Sequence, residues 1–245
     1  MAHPVGAACF PNMTVDAKII LYTNHGCPWA HRAHIALSEL QVPVEEVIID
    51  LDAPRTAEYL AINPAGLVPA ISYNDTIITE SAIVAQFLAD QYPSHLVPPS
   101  NTVEGALKRA RISFFVDTFF SKFQSPLFGI LSAKSPEEEK SIMDSVVASL
   151  AKNVEPLLQN AGPFFGGSNK LTMVEVLTGS FVVRLLTLPT PDLYPTGLLE
   201  AIQSSAPAFW KWAEHVAKHP SITNIYDVNF VAEGMKKRFP KQFTV

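Results

Sequence analysis

A cysteine at a predicted junction between a strand and a helix is the residue of this sequence best suited to chemistry. Cys27 follows Asn24, His25 and Gly26, which break a strand-type run, and precedes Pro28, whose fixed φ suits the first position of a helix. A thiol at a helix N-terminus meets unpaired backbone N–H groups and the positive end of the helix dipole, which favour the thiolate. The pattern predicts a nucleophile, against the alternative of a small buried apolar residue.

Three histidines flank this cysteine and raise the question of a metal. Cys27 and His31 have the i, i+4 spacing that metal sites use on helices, and His25 and His34 lie close by in the sequence. A zinc site needs further ligands, and the second cysteine, Cys9, belongs to the N-terminal stretch. We therefore expect no metal, and we expect His31 either to modulate the thiolate or to face solvent.

The elements around the cysteine form a predicted βαβ unit. Residues 18–22 have strand composition, a helical periodicity follows to about residue 41, and residues 44–49 predict a second strand, buried on both faces. Its right-handed crossover places the helix N-terminus at the carboxyl end of the first strand, where open α/β sheets bind ligands. The sequence thus predicts that Cys27 lies at a ligand-binding edge.

The following segment predicts a short helix, a turn, a hairpin and a third helix. Residues 55–62 favour the helix and residues 63–66 the turn. Residues 67–73 favour a strand in which Pro69 cannot donate a hydrogen bond, so one side of its backbone is open to an extended peptide. A two-residue turn then closes a hairpin, and Ser81 is a natural N-cap or first-turn residue. The predicted order is β-α-β-α-β-β-α.

Composition divides the chain further. Residues 1–17 predict an extended arm, 18–92 the α/β domain, 93–103 a proline-rich linker and 104–245 an all-helical domain. Within the last region, residues 172–175 have the Ser/Thr-x-x-Glu form of a capping box ahead of an apolar run, which predicts a buried central helix.

The overall composition limits the partners and the compartment. The 245 residues are 48% apolar, and 18 basic against 23 acidic residues give a net charge of −5, so we expect neither nucleic acid nor a membrane as partner. Two cysteines do not form a disulfide framework, which fits a reducing compartment. No signal peptide or membrane-spanning run is apparent, and we expect a cytoplasmic protein.

Three stretches in register resemble the cytosolic glutathione transferases, and among them the cysteine-type omega class. These stretches are Cys27-Pro28-Trp29-Ala30, Asn63 to Pro69 with its Val68-Pro69 step, and Glu80-Ser81. The run from Cys27 to Arg32 is also similar to the xi-class glutathionyl-hydroquinone reductases. The resemblance implies an α/β plus all-α fold class, with a thioredoxin-like N-terminal domain followed by an all-helical C-terminal domain.

The resemblance also implies a glutathione site. Cys27 would form a mixed disulfide with glutathione, and Val68 would pair its backbone with the tripeptide beside a cis Pro69. Glu80 and Ser81 would hold the γ-glutamyl end.

Further members of the site follow from the resemblance. Arg55 would be the cation near the glycyl carboxylate, Trp29 the aromatic residue after the Cys-Pro pair, and Leu67 a neighbour of the bound peptide. Most of the aromatic side chains after residue 113 predict core packing. The alternative is a wide apolar pocket for a second substrate, lined by Phe115, Phe119 and Trp212.

The implied activity is that of a glutathione-dependent thiol transferase or dehydroascorbate reductase, with glutathione as co-substrate and a small hydrophobic or disulfide substrate. Ala30 stands where dithiol enzymes have a second cysteine, so a second glutathione must resolve the intermediate. One alternative is a conjugating or isomerising enzyme that acts on an electrophilic metabolite, in detoxification or secondary metabolism. Another is a non-catalytic regulator with the same fold. The family resemblance also implies a homodimer.

Overall fold

The first domain contains seven elements in the predicted order. The structure, a computed structural model, describes residues 17–241 and 243, so most of the predicted arm, with Cys9, lies outside the described residues. The elements are β1 Ile19–Thr23, α1 Pro28–Leu40, β2 Glu45–Ile48, α2 Ala57–Ile62, β3 Ala70–Tyr73, β4 Thr76–Thr79 and α3 Ser81–Gln91. The first strand and the first helix coincide closely with their predictions.

A mixed four-stranded sheet in the order β2-β1-β3-β4 supports this domain. The β1 and β2 strands are parallel, with Ile20 opposite Glu45, whereas β3 is antiparallel to both β1 and β4. Asn74 and Asp75 connect β3 to β4 with φ angles of 46° and 66°, the left-handed pair that suits a two-residue hairpin. The thioredoxin-like fold class is confirmed.

The β2 strand differs from its prediction in burial. It pairs in parallel with β1 as expected, but it is an edge strand of the sheet. Three of its four residues are exposed, including Ile48 at 58%. The prediction of a buried strand was wrong because an apolar pattern on both faces does not distinguish an edge strand from a central one.

The second domain is helical, as predicted. Its helices are α4 Val103–Phe119, α5 Ser125–Phe128, α6 Pro136–Asn153, α7 Met173–Thr187, α8 Leu198–Ser205, α9 Pro207–Lys218, α10 Pro220–Thr223 and α11 Val228–Arg238. A π-helical turn at Phe120–Gln124 joins α4 to α5. No described helix combines the length and the apolarity that a bilayer crossing requires. The predicted linker lies between α3 and α4, and its exact boundaries stay a prediction.

The α7 helix is the buried centre of the second domain and packs against α1 of the first. Its predicted capping box is present: the Glu175 carboxylate accepts from the Thr172 backbone N–H at 2.8 Å, and Thr172 Oγ1 accepts from Val174 N–H at 3.2 Å. The same carboxylate also accepts from Phe165 N–H at 2.8 Å and Trp212 Nε1–H at 2.7 Å. Because α7 is fixed in this way, it is a firm support for the helix that begins after Cys27.

Candidate active site

Cys27 is the N-cap of α1, with Pro28 at the first helical position as predicted. Its backbone N–H donates to Asn24 O at 3.0 Å, and Asn24 Oδ1 accepts from Gly26 N–H at 2.9 Å, so the turn before the helix is tightly held. The side chain is half-buried, and its Sγ lies 4.0 Å from Val68 O. A thiolate here faces the unpaired N–H groups of a helix N-terminus.

A cavity of about 570 Å³ opens beside this sulfur, and we call it the first cavity. It is lined by the predicted nucleophile, Cys27, and by all seven residues predicted for glutathione binding: Trp29, Arg55, Leu67, Val68, Pro69, Glu80 and Ser81. They come from α1, the segment before α2, the loop before β3 and the start of α3. The fold therefore brings together residues that lie up to 54 positions apart in the sequence.

The loop from Asn63 to Pro69 presents an open backbone edge to the first cavity. The Val68-Pro69 peptide bond is cis. Leu67 O accepts hydrogen bonds from Asn63 Nδ2, at 2.8 Å, and from the Tyr59 hydroxyl, which fixes the loop from the side of α2. Val68 N–H makes no backbone hydrogen bond within the described chain. An extended peptide could therefore pair with this residue, as a strand edge permits.

The start of α3 forms the opposite end of the first cavity. Glu80 has φ 67° and ψ 114°, a strained conformation for a residue with a Cβ, and its exposed side chain makes no capping hydrogen bond. Ser81, the first residue of the helix, is buried. The unpaired N–H groups of the first turn could bind an anion, and the exposed Glu80 carboxylate beside them could bind a cation.

Known proteins resemble both the first domain and the chain as a whole. Residues 26–91 match the family described as glutathione S-transferase, N-terminal domain. Glutathione S-transferase omega-1 of Rattus norvegicus is 28% identical over 180 residues, which cover 73% of this chain and 71% of that protein. Glutathione transferase Omega 2C from Trametes versicolor superposes with a TM-score of 0.72 at 29% identity, covering 91% of this chain and 99% of that one. Together these findings support an omega-like glutathione transferase, and with it a glutathione-dependent transferase activity.

A third relative carries a different name. Pyrimidodiazepine synthase of Drosophila melanogaster is 24% identical to this omega-like transferase over 244 residues, which cover 96% of this chain and 92% of that protein. Similarity therefore extends through both domains.

Arg32 is a member of the transferase site to which the sequence analysis assigned no role. It is buried beneath the first cavity, where Nε donates to Leu177 O at 2.8 Å and Nη1 to Ser81 Oγ at 3.0 Å. Its guanidinium carbon lies 4.5 Å from the Trp29 ring centroid and 4.6 Å from that of Phe120. Burial lowers the pKa of Arg32 to about 9. This side chain joins α1, α3 and α7, and it fixes the orientation of Ser81.

Arg55 uses much of its guanidinium for structure. Nε donates to Gly66 O at 2.9 Å, and Nη1 donates to Asp50 O at 2.6 Å and Ala53 O at 2.7 Å. These bonds hold the wall of the first cavity and leave Nη2 for a ligand. Arg238 of α11 lines the same cavity and is a second cation there, which the sequence did not indicate.

A second cavity, of about 380 Å³, lies on the other side of the cysteine, so Cys27 lines both. Its apolar wall consists of side chains from the helical domain: Leu127, Phe128, Phe181, Leu185, Leu188, Tyr194, Phe230, Val231 and Met235. This wall is the structure's candidate for the second-substrate pocket.

The prediction that Phe115, Phe119 and Trp212 line that pocket was wrong. All three are core residues with exposures of 0%, 0% and 1%, and none lines either cavity. Trp212 donates its indole N–H to Glu175, and its ring packs against Phe115 with centroids 5.7 Å apart. The i, i+4 spacing of the aromatic residues predicted one apolar face of a helix, and that face packs into the domain rather than lining the cavity.

Arg184 and His31 form a buried pair behind the turn that precedes Cys27, and the sequence did not indicate this pair. Arg184 Nη1 donates to His31 Nδ1 at 3.1 Å, and Nη2 donates to Gly26 O at 3.2 Å. Burial lowers the pKa of Arg184 to about 10, while the charges of an ionised Tyr226 and, to a smaller extent, of a Cys27 thiolate oppose this effect. The expectation that His31 faces solvent was wrong: burial and the nearby Arg184 hold its pKa well below 6.5, so the ring is neutral.

Proposed function

We propose that this transferase catalyses thiol–disulfide exchange through Cys27. The observation that carries the proposal is the position of Cys27, which caps a helix and lines both cavities. A sulfur in that position is activated by the helix N-terminus and is accessible from both sides. One cavity then holds glutathione while the other holds the group to which glutathione is attached.

The reaction proceeds in two exchanges. The Cys27 thiolate attacks the glutathionyl sulfur of a mixed disulfide, the S–S bond breaks, and the other sulfur leaves as a thiolate that takes up a proton. A second glutathione thiolate then attacks the Cys27–glutathione disulfide, which releases oxidised glutathione and restores the Cys27 thiolate. Ala30 in place of a second cysteine supports this external resolution.

The first cavity suits the extended tripeptide. The Val68 backbone edge would pair with the cysteinyl residue of glutathione, next to Cys27 Sγ. The γ-glutamyl carboxylate would take the N–H groups at the start of α3, and its amine would meet Glu80. The glycyl carboxylate would face Arg55, with Arg238 as the additional cation.

The test compares the activities of two variants, Cys27→Ala and Cys27→Ser. The substrates are glutathione mixed disulfides, dehydroascorbate, glutathionyl-ketones and epoxides. Cys27→Ala is expected to abolish disulfide exchange while glutathione affinity stays within a few-fold, because the backbone and charged groups that bind the tripeptide are unchanged. Retained exchange in the alanine variant would refute Cys27 as the nucleophile.

A second candidate is conjugation or isomerisation of an electrophilic metabolite. The apolar wall of the second cavity favours it, because such a wall would hold a hydrophobic electrophile close to Cys27. Cys27→Ser is expected to favour this activity, since a hydroxyl can stabilise the glutathione thiolate without forming a disulfide with it. Epoxide turnover by the serine variant, absent from the alanine variant, would identify this second activity.

We also propose that the transferase is a homodimer. The α4 helix exposes large apolar side chains on one face, at Val103, Leu107 and Phe114. The first domain exposes Ile77 and Ile83. Sedimentation should give a mass near twice the chain's 26.8 kDa, and Phe114→Glu should shift it towards the monomer. A monomer at micromolar concentration would contradict the proposal.

A further inference from the structure

Three metal-ligating side chains converge beside the catalytic turn, outside both cavities. His25 belongs to the turn before Cys27, His34 to α1, and Glu46 to the edge strand β2. One ligand atom from each histidine and one carboxylate oxygen all lie within 4.8 Å of one another. His25 Nε2 lies 2.7 Å from Glu46 Oε2, and His34 Nδ1 lies 3.6 Å from Glu46 Oε1.

The His34 ring is oriented as a ligand would be. It is 5% exposed, and Nε2 is 2.8 Å from Thr23 Oγ1, so the threonine hydroxyl can accept the proton of that nitrogen. In this tautomer the lone pair of Nδ1 points towards Glu46, at a distance too long for a hydrogen bond. Burial lowers the pKa of His34 to about 4, so the ring is neutral at neutral pH. A polar group on the far nitrogen is the usual support of a metal-bound histidine.

We propose that His25, His34 and Glu46 bind a divalent transition metal, with zinc as the best match. Two imidazoles and one carboxylate form a ligand set that zinc uses in sites with a position open to water, whereas magnesium and calcium need more oxygen ligands. His25 and Glu46 are partly exposed, so an ion can enter from solvent. On binding, the hydrogen bond between these two side chains is replaced by one bond from each to the ion.

The metal would hold the backbone around Cys27 in place and would take no part in the reaction. It would tie the turn that precedes Cys27 to β2 and to the middle of α1, and so restrict the backbone that presents the sulfur. No metal was expected from the sequence, because a zinc site needs further ligands near Cys27 and the second cysteine lies in the N-terminal stretch. Glu46 lies 21 residues from His25, and the parallel pairing of β2 with β1 brings its carboxylate to the histidines.

The test measures zinc binding to the full-length chain carrying Cys9→Ser and Cys27→Ser, which removes the competing thiols. Titration against a chromophoric chelator is expected to show one zinc ion per chain. In that background, His25→Ala and Glu46→Gln should each weaken binding at least tenfold, and Thr23→Val should weaken it about 10–100-fold through the orientation of His34. Cobalt in place of zinc should give the visible absorption of a site with nitrogen and oxygen ligands only.

The matched control is His95→Gln, which alters the other histidine and glutamate group of the described chain, formed by His95, Glu39 and His219. It should leave zinc affinity unchanged. Melting curves without metal show whether each variant is folded. Because His25 and Glu46 are partly exposed, we expect their variants to fold. Absence of saturable zinc binding, or equal affinity in the parent, His25→Ala and Glu46→Gln, would overturn the proposal. So would a loss of binding confined to His95→Gln.

Discussion

The Arg184 guanidinium donates to Nδ1 of His31 at 3.1 Å, a hydrogen bond that joins α7, the central helix of the second domain, to α1 of the first. A nitrogen that accepts from an arginine cannot carry a proton of its own. The bond therefore requires a neutral imidazole, in agreement with the burial that holds the His31 pKa well below 6.5. Contact between the two domains thus depends on the protonation state of this ring.

The first prediction concerns stability against pH. Because the folded pKa of His31 is depressed, the unfolded chain binds the proton more tightly, and stability is lost as pH falls below about 6.5. His31→Gln, which can still accept from Arg184, should lose less stability between about pH 7.5 and pH 5.5. Urea unfolding at both pH values measures this. His215→Gln, on an exposed histidine, is the control, and an equal loss in all three proteins would contradict the prediction.

The second prediction concerns the charge behind the sulfur. No described carboxylate forms an ion pair with Arg184, so a Cys27 thiolate is a natural counter-charge for it. Arg184→Met should therefore slow alkylation of Cys27 by iodoacetamide about tenfold, an effect of about 1.4 kcal/mol. Arg109→Met, which removes an arginine paired with Asp90 far from the site, should not change the rate. Equal rates in both variants would show that Arg184 does not stabilise the thiolate.

The third prediction separates binding from chemistry. Arg32 holds Ser81 through Nη1 and α7 through Nε, a geometry that a lysine ammonium cannot reproduce. Arg32→Lys should raise the KM for glutathione about tenfold with kcat within about twofold, because the change affects how the γ-glutamyl end is held rather than the sulfur. Steady-state kinetics over a range of glutathione concentrations provide the test. A lower kcat at unchanged KM would assign Arg32 a different role.

The fourth prediction concerns the buried carboxylate of α7. Glu175 accepts from Thr172, Phe165 and Trp212, so both oxygens face donors, although burial raises its pKa. Glu175→Gln turns an amide NH₂ towards some of these donors and should destabilise the fold by about 1.5–3 kcal/mol. Urea unfolding at constant m-value measures the loss. A variant as stable as the parent would mean that the donors rearrange freely.

Local signals in the sequence were sufficient to predict much of the fold and part of the candidate site. The Cys27-Pro28 pair defines a helix start through backbone geometry alone, and the capping box at Thr172 and the Asn74-Asp75 turn act within four residues. Each was predicted correctly because no distant contact is needed to form it. The cis Pro69 came from the family resemblance, since proline by itself leaves both isomers open.

Features that depend on tertiary packing could not be predicted in this way. His31 and Arg32 lie on α1, but their side-chain hydrogen-bond partners lie on α3 and α7, and their burial follows from the docking of α7. Trp212 was assigned to a pocket through the family resemblance, whereas the structure packs it in the core. The proposed role of Glu46 depends on the pairing of β2 with β1. A periodic pattern predicts a strand but does not say which strand lies beside it.

The most direct test of the central claim is the fate of Cys27 in the presence of oxidised glutathione. Intact-mass spectrometry followed by peptide mapping should find one glutathionyl group on Cys27, no such adduct at that position in Cys27→Ala, and removal of the adduct at a rate proportional to added reduced glutathione. If Cys27 stays unmodified while the protein still catalyses disulfide exchange, the mixed-disulfide mechanism is contradicted.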